Sequence, residues 1–230
     1  MLVMFQNRDD RALFIKRRIV APPNVVVVPG SGVDLAHFAS TPMPESEVTT
    51  FLMIARLLWD KGVGEYVAAL RLLRAAGLTV RGQLLGFLDV KNRSAIDRET
   101  VYAWHREGII EYLGATDDVR PAIAASHCVV LPSSYREGTP RSLLEASAMG
   151  RPVITTDAPG CRDVVDDGVT GYLCEMRDAA SLAQSMARFA NLHHELQNSM
   201  GLAARQKMEH GFDERIVIDT YMQWLDRYAQ

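Results

Sequence analysis

The sequence predicts an α/β protein built on a Rossmann-like, doubly wound parallel sheet. Short runs of β-branched and aliphatic residues alternate with longer helical segments, and glycine or proline follows several of the runs. A regular alternation of strand and helix indicates a parallel sheet covered by helices. Ligands bind such sheets at the carboxyl ends of the strands, so we expect a site at that edge.

Composition and charge are those of an ordinary globular protein. The 230 residues are 48% hydrophobic and 23% charged, enough for one sizeable α/β domain and a smaller piece. The net charge of −3 provides no basic surface for nucleic acid, so any selectivity for anions must be local. No run is long and apolar enough to span a membrane, and the first residues do not have the pattern of a signal peptide.

The first 47 residues predict a small β-α-β unit followed by a linker. A strand at residues 2–5, a helix at 9–18 with a cationic end and a β-branched strand at 24–28 are too few for a core of their own. Residues 30–47 are rich in Gly, Pro and Ser, which is typical of a linker. Because the chain opens on a strand that needs neighbours, we expect it to be cut from something longer.

From residue 49 the alternation of strand and helix becomes regular. Apolar runs predict strands at residues 51–54, 80–85, 109–113, 128–131, 152–155 and 172–173. Helical spacing predicts helices at residues 65–76, 94–105, 119–125, 179–192, 197–209 and 214–228, with a short one near residue 164. One more helix follows the strand at 128–131.

Residues 133–150, which contain that helix, are the stretch around which the chain is organised. Thr139 suits the N-cap of the helix, and Pro140 suits its first helical position. A strand, a glycine-containing loop and a helix N-terminus form an anion site, because unpaired N–H groups and the helix dipole point into the loop. The predicted anion site comprises Gly138, Thr139, Pro140, Arg141, Ser142 and Leu143.

Two glutamates frame the anion site, with seven residues between them. Glu137 lies in the loop, where we expect its side chain to be free to face the cleft, and Glu145 lies one turn inside the helix. Neither suits contact with phosphate because like charges repel, but carboxylates accept hydrogen bonds from vicinal hydroxyl groups. A helical side chain leans toward the N-terminus, so Glu145 can reach the mouth of the loop. The combination suggests a ligand with phosphate and sugar parts.

Two cations follow the first strand of the regular region, at the ligand edge of the sheet. Arg56 and Lys61 beside a helix N-terminus would bind a diphosphate by charge-assisted hydrogen bonds. Ordinary charges on a solvated loop are the alternative for these residues taken alone. Gly86 ends the next strand, where it either lets a planar group approach the backbone or is a plain turn glycine. Residues 109–114 end a third strand at the same edge and would offer backbone groups to a base.

The sequence predicts no metal site. Its three scattered cysteines lack metal-ligand spacing, and we expect buried free thiols in a reducing compartment at Cys128, Cys161 and Cys174. Acidic pairs lie at helix starts or turns, where Asp is a usual cap, at residues 9–10, 117–118 and 166–167. The histidines form no cluster, and His193-His194 is expected to be solvated between helices. No P-loop or complete GxGxxG motif occurs.

Taken together, these residues resemble the retaining, nucleotide-sugar-dependent glycosyltransferases of the GT-B fold, the group 1 or family-four set. The spacing of Glu137 and Glu145 matches the Glu-x7-Glu motif of that family. Further matching text is Ala55-Arg56-Leu57, Lys61-Gly62, Pro132-Ser133-Ser134, Glu137-Gly138-Thr139-Pro140, Leu143-Leu144-Glu145-Ala146, Gly150-Arg151-Pro152-Val153-Ile154, Thr156-Asp157, Gly160 and Asp167-Gly168-Val169-Thr170-Gly171. Pro29-Gly30-Ser31-Gly32-Val33-Asp34 resembles the linker entry of the family, where Asn-Gly often replaces Ser-Gly. Cys161-Arg162-Asp163 departs from the commoner form, which has a small residue and Glu.

The resemblance implies a domain organisation. The family has two Rossmann-like domains, the N-terminal one for the acceptor and the C-terminal one for the donor. The chain would be the C-terminal half of a GT-B fold, with residues 1–47 as the end of the acceptor domain and linker. Residues 48–230 would be the nucleotide-sugar-binding domain. The isolated fragment is then expected to bind a donor without transferring sugar.

The resemblance also implies roles for the site residues. Arg56 and Lys61 would bind the donor diphosphate and stabilise the charge that builds on the departing nucleotide, assisted by N–H groups at the helix start. Glu145 would hold the ribose, and Glu137 would face the transferred sugar. The catalytic residues would therefore be Glu137, Arg56 and Lys61, with no cofactor and no metal. Gly86 would contact the nucleotide.

The donor implied by the resemblance is a UDP-sugar, with a UDP-N-acetylhexosamine as the first choice and a GDP-sugar as the main rival. The opening residues 5–10 look most like enzymes that assemble polysaccharide or the O-antigen of lipopolysaccharide on lipid-linked glycans. We therefore expect a glycan or polyprenyl-linked acceptor, bound through the missing N-terminal domain. The enzyme would be cytoplasmic, with peripheral association at the inner face of the membrane.

Three other classes of protein are alternatives. A nucleotide-sugar epimerase shares the fold, and the Glu-x7-Glu spacing with Arg56 and Lys61 argues for a transferase instead. A non-catalytic nucleotide-sugar-binding module is favoured if Met1 is the natural start. A dinucleotide dehydrogenase is disfavoured, because no strand runs into a full GxGxxG followed by an acidic residue about twenty positions later.

Overall fold

Two parallel sheets of different size make up the computed structural model, which describes residues 3–228. The small sheet pairs β1 (Val3–Phe5) with β2 (Val25–Val27), and α1 (Arg8–Lys16) connects them. The predicted β-α-β unit is therefore present, although Leu2 lies outside the described residues. Helix α1 begins one residue earlier than predicted, because the side chain of Asn7 accepts the Asp10 N–H and caps it.

The large sheet has six strands, all parallel. They are β3 (Thr49–Ile54), β4 (Val80–Leu85), β5 (Glu111–Tyr112), β6 (Cys128–Leu131), β7 (Val153–Thr156) and β8 (Gly171–Cys174). Their order across the sheet is β5-β4-β3-β6-β7-β8. All four residues of β6 and all four of β7 are buried, as expected for central strands covered on both faces.

Helices cover the large sheet and form its connections. They are α2 (Val63–Ala75), α3 (Arg98–Arg106), α4 (Arg120–Ala124), α5 (Arg141–Ala148), α6 (Ala179–Ala190), α7 (His194–Gly211) and α8 (Glu214–Tyr228). Helix α2 packs against α6, and α5 packs against α7. Short 3-10 turns occupy Pro22–Asn24, Trp59–Lys61 and Arg162–Val164. None of the helices in the described part is long and apolar enough to cross a bilayer.

Several predicted elements have different bounds in the structure, three of them with a shift worth explaining. The strand predicted at 109–113 shortens to two residues, and the helix predicted at 94–105 begins at Arg98. Residues before Arg98 instead pair with the loop after β3: the Ile96 N–H donates to the Leu57 carbonyl at 2.9 Å. Asp97 then caps α3. Helix α7 begins at His194 rather than at residue 197, so the two exposed histidines start a helix instead of lying between helices.

The linker at residues 30–47 contains no helix or strand, as predicted, but it is bound to the large sheet. Arg151, fully buried, donates to the carbonyls of Thr41 and Pro42 at 2.9 and 2.7 Å. Burial lowers the pKa of this guanidinium to about 10. Linker residues Val33 and Phe38 belong to the buried core. The linker therefore forms one wall of the molecule rather than a loose tether.

All three cysteines are free and buried, as predicted. Burial raises the pKa of the Cys161 thiol to about 11 and that of Cys174 to about 12. These thiols are therefore protonated at neutral pH. Within residues 3–228, no group of three or more His, Cys, Asp or Glu side chains is arranged to hold a metal ion.

Candidate functional site

The strand order brings two loops together at the carboxyl edge of the large sheet. Strands β3 and β6 are neighbours, although β4 and β5 separate them in sequence, so the chain changes direction across the sheet at this pair. The loop after β3 carries Arg56 and Lys61, and the loop after β6 carries Glu137. Such a switch point is where open α/β sheets bind their ligands.

The loop after β3 is anchored by two buried leucines, and it exposes the side chain of Arg56. Leu57 and Leu58 are buried, and the exposed Arg56 side chain has no hydrogen-bond or ion-pair partner within residues 3–228. Gly62 has a φ of 80°, and a Cβ there would lie 2.1 Å from the Pro132 carbonyl oxygen. Only glycine permits this contact, which brings Lys61 beside the end of β6.

Lys61 and Glu137 form an ion pair between the two loops. Glu137 also accepts a hydrogen bond from the Ser133 hydroxyl at 2.7 Å, and its side chain is only 12% exposed. The expectation that the Glu137 side chain is free is therefore wrong, because Lys61 and Ser133 both bind its carboxylate. The reason is topological, because the pairing of β3 with β6 places the Lys61 loop against the loop that carries Glu137. Ser133 was not identified from the sequence, where a serine after a strand carries no distinctive signal.

Helix α5 begins beside this ion pair, one residue later than predicted. Pro140, with ψ of 120°, is the cap residue rather than the first helical residue, and Thr139 is not the N-cap. The Thr139 hydroxyl instead donates to the Gln6 carbonyl at 3.1 Å. The backbone N–H groups of Arg141 and Ser142 have no acceptor within the described part of the chain. Two unpaired donors and the helix dipole therefore favour an anion here, as the sequence indicates.

Glu145 lies one turn inside α5 and faces a cavity of about 370 Å³. Burial raises the pKa of its carboxyl group, and Arg141, whose guanidinium is 3.3 Å away, opposes that shift. The linker supplies the opposite wall of this cavity, including Asp34 and His37. Sequence reasoning did not identify these linker residues as part of the site, because the contact with α5 bridges about a hundred positions.

Gly86 follows β4 at the same edge of the sheet. A Cβ on this residue would lie 1.9 Å from the Ala55 carbonyl oxygen, so the glycine is explained by close packing of two backbones. Its N–H donates to the Gly114 carbonyl at 2.8 Å, and its own carbonyl accepts the Tyr112 hydroxyl at 2.8 Å. These bonds tie the ends of β4 and β5 together beside Arg56.

The acidic pairs have structural roles that differ in detail from the prediction. Asp9 and Asp10 lie in the first turn of α1, but its cap is Asn7. Asp118 accepts the Arg120 N–H at 3.1 Å, just before α4. A second cavity, of about 820 Å³, lies between the β1–α1 turn, the end of β7 and α7, and no predicted site residue lines it.

The sequence comparisons identify the class of protein that this fold and site define. Residues 48–191 match the family model described as glycosyl transferases group 1. The chain belongs to this family of glycosyltransferases. Its parallel sheet and flanking helices match structures of the GT-B fold.

Two curated relatives carry the names of bacterial glycosyltransferases. The chain is 31% identical over 231 residues to an enzyme of Campylobacter jejuni named N,N'-diacetylbacillosaminyl-diphospho-undecaprenol alpha-1,3-N-acetylgalactosaminyltransferase, covering 95% of this chain and 58% of that protein. It is 29% identical over 205 residues to a putative colanic acid biosynthesis glycosyltransferase of Salmonella typhimurium, covering 85% of this chain and 50% of that protein. The chain thus spans about half the length of these relatives.

Solved structures share the fold at lower sequence identity. A glycosyltransferase from Rickettsia africae superposes with a TM-score of 0.86 at 19% identity, covering 100% of this chain and 64% of that one. The Anabaena protein HepE, solved with UDP and glucose, has a TM-score of 0.81 at 19% identity, covering 98% and 62%.

Proposed function

We propose that the chain is the donor-binding half of a retaining glycosyltransferase that uses a nucleoside-diphosphate sugar. The observation that supports this most directly is the convergence at one sheet edge of Arg56, Lys61 and the free amides at the start of α5. A diphosphate carries the negative charge that these cations and N–H donors attract. Glu145, in the adjoining cavity, would accept hydrogen bonds from the ribose hydroxyls.

The proposed reaction breaks the bond between the anomeric carbon of the sugar and the β-phosphate oxygen. The departing diphosphate takes the electron pair, and two cations with a helix N-terminus stabilise it without a metal ion. Glu137 would face the sugar and favour the positive charge that develops at the anomeric carbon. The acceptor hydroxyl would attack from the leaving-group face and give its proton to the departing phosphate oxygen, so the anomeric configuration is retained.

UDP is the nucleotide we propose for the donor. HepE, which shares the fold, is described in complex with UDP-glucose, and the Campylobacter relative is named as an N-acetylgalactosaminyltransferase acting on an undecaprenol-linked sugar. We accordingly propose a glycan or polyprenyl-linked acceptor, bound by an acceptor half outside residues 48–230. An enzyme with such an acceptor would associate peripherally with the cytoplasmic face of the membrane.

Calorimetry with UDP and GDP, each in EDTA, tests the proposal. We expect UDP to bind with the chelator present, because the cations and the helix start supply the positive field. Arg56→Ala should weaken the binding of UDP by about 1.5–3 kcal/mol, which is the range for hydrogen bonds to charged groups. Arg81→Ala, at an exposed position within β4, is the control and should bind like the parent. A strict requirement for Mg²⁺ or Mn²⁺ would rule out the metal-free mechanism, and tighter binding of GDP would reassign the base.

A further inference from the structure

The turn after β1 contacts the loop that carries Glu137, across 130 positions of sequence. The carboxamide of Asn7 donates to the carbonyls of Glu137 and Gly138, each at 3.1 Å. Asn7 is 2% exposed, so these hydrogen bonds are shielded from water. The small sheet and the large sheet therefore meet at the loop where the proposed chemistry occurs.

The orientation of the Asn7 carboxamide is determined by its other partner. Its oxygen accepts the Asp10 backbone N–H at 2.7 Å, and that group is a donor only. The nitrogen must then point the other way, toward the two carbonyls of the loop. The same nitrogen also donates to the Asp10 carboxylate at 2.9 Å.

The same two carbonyls are also packed against a second backbone. Gly160 has a φ of 81°, and a Cβ there would lie 2.3 Å from the Gly138 oxygen and 2.4 Å from the Glu137 oxygen. Gly138 itself is packed against the Gln6 side chain, whose oxygen would lie 1.8 Å from an added Cβ. Asn7 and the Gly160 backbone therefore both contact the peptide groups that follow Glu137. These contacts leave little freedom for the backbone that carries the Glu137 side chain.

We infer that Asn7 is a positioning residue for Glu137. Its carboxamide fixes the backbone of the loop, while Lys61 and Ser133 fix the carboxylate, so the orientation of Glu137 depends on a residue outside the large sheet. This inference rests on the proposed function, in which Glu137 faces the transferred sugar. In the proposed function Asn7 itself contacts neither phosphate nor sugar. Its loss should therefore slow sugar transfer without lowering the affinity for the nucleotide.

The structure offers a matched control for the capping role of Asn7. Asp97 caps α3 as Asn7 caps α1: both helices have nine residues, and both caps accept an N–H at 2.7 Å. Asp97 is exposed and does not contact the Glu137 loop. Asp97→Ala therefore removes a cap alone. Asn7→Asp keeps the cap but replaces the donor by an oxygen that the loop carbonyls and the Asp10 carboxylate repel, and Asn7→Ala removes both cap and donor.

The first measurement compares kcat at saturating donor with the affinity for UDP, in the protein with its acceptor half present. Asn7→Asp should lower kcat on the order of tenfold or more, the equivalent of losing a buried hydrogen bond. Its affinity for UDP should stay within about threefold, because the amides of α5 are untouched. Asp97→Ala should keep the parent kcat. Parent kcat in Asn7→Asp, or equal losses of kcat, UDP affinity and melting temperature, would overturn the inference.

The second measurement is amide hydrogen exchange on the nucleotide-free chain, read in peptides covering residues 133–142. Asn7→Asp should speed exchange there, whereas Asp97→Ala should speed it only around α3. Unchanged exchange of residues 133–142 in Asn7→Asp would contradict the inference that Asn7 fixes the backbone of this loop. A parent protein that does not bind UDP would remove the proposed function, and the exchange comparison would still decide whether Asn7 fixes the loop.

Discussion

The two glutamates of the Glu-x7-Glu stretch lie in surroundings of opposite character. Glu137 is surrounded by partners. Lys61 neutralises its carboxylate, Ser133 donates a hydrogen bond to it, and Asn7 and Gly160 contact the backbone that carries it. Glu145 has one long contact with Arg141, faces a cavity, and has a pKa raised by burial. A carboxylate that is already satisfied is suited to a fixed electrostatic role, whereas an unsatisfied one is suited to accept hydrogen bonds from a ligand.

Replacing Glu137 should have the largest effect. In the protein with its acceptor half, Glu137→Ala should lower kcat by a hundredfold or more, about 2.7–4 kcal/mol for a lost transition-state contact. Affinity for UDP should be unchanged or up to about threefold tighter, since Lys61 loses its competitor. Steady-state kinetics and calorimetry on one variant test both statements. Unchanged kcat at saturating donor would mean that Glu137 only steadies its loop.

Replacing Glu145 should act on binding instead. Glu145→Gln keeps the size of the side chain but weakens its acceptance from two hydroxyls, which should cost about 1.5–3 kcal/mol of UDP affinity. The melting temperature should barely change, because the one ion pair that Glu145 makes within residues 3–228 is with Arg141, whose side chain is 72% exposed. Equal UDP binding by parent and variant, or a large fall in melting temperature, would assign Glu145 to structure and remove the contrast with Glu137.

A smaller effect tests whether Lys61 is held back by its ion pair. Glu137→Gln leaves the shape of the loop but frees the ammonium group, so UDP should bind roughly twofold to threefold tighter, under ~1 kcal/mol. The gain should shrink as salt rises, because the attraction is electrostatic. Titration of the chain with UDP at two salt concentrations measures this. Weaker binding would show that Glu137 helps to place Lys61 rather than occupying it.

The smallest effect concerns pH. Burial raises the pKa of Glu145 above its ordinary value of 4.5, so the folded chain binds this proton more tightly than the unfolded chain. The contribution to stability is therefore complete below that value and is lost as pH rises through the folded pKa. Between about pH 4 and pH 7, the free energy of unfolding of Glu145→Gln should rise relative to the parent. Denaturant titrations at both pH values would show a constant difference if the carboxyl were not perturbed.

Local patterns predicted most elements of the fold, and they selected candidate site residues that the structure brings together at one edge of the sheet. The β-branched and aliphatic runs gave β3, β4, β6 and β7 nearly to the residue, because buried parallel strands need such runs. The Glu-x7-Glu spacing with the proline-containing loop indicated the start of α5 within one residue. Their placement at one edge followed from the alternation of strands and helices alone.

What the sequence did not reveal depends on contacts between distant segments. The start of α3 moved because Ile96 pairs with the loop after β3, and Thr139 lost its capping role to the Gln6 carbonyl. The link from Asn7 to the Glu137 loop spans 130 positions, and nothing local distinguishes Asn7 from an ordinary cap. Residue propensities describe neighbours in sequence. They therefore could not predict the ion pair between Lys61 and Glu137 either.

The buried guanidinium of Arg151 decides where the chain can be divided. Composition suggests a cut after residue 47, but that cut would take away Thr41 and Pro42, which accept three hydrogen bonds from the buried guanidinium. A hydrogen bond to a charged group contributes about 1.5–3 kcal/mol, so losing these acceptors would remove much of the stability of an average domain. A protease acting on the folded chain should therefore leave residues 33–47 attached to the large sheet. An autonomous folding unit made from this protein would have to begin before Val33.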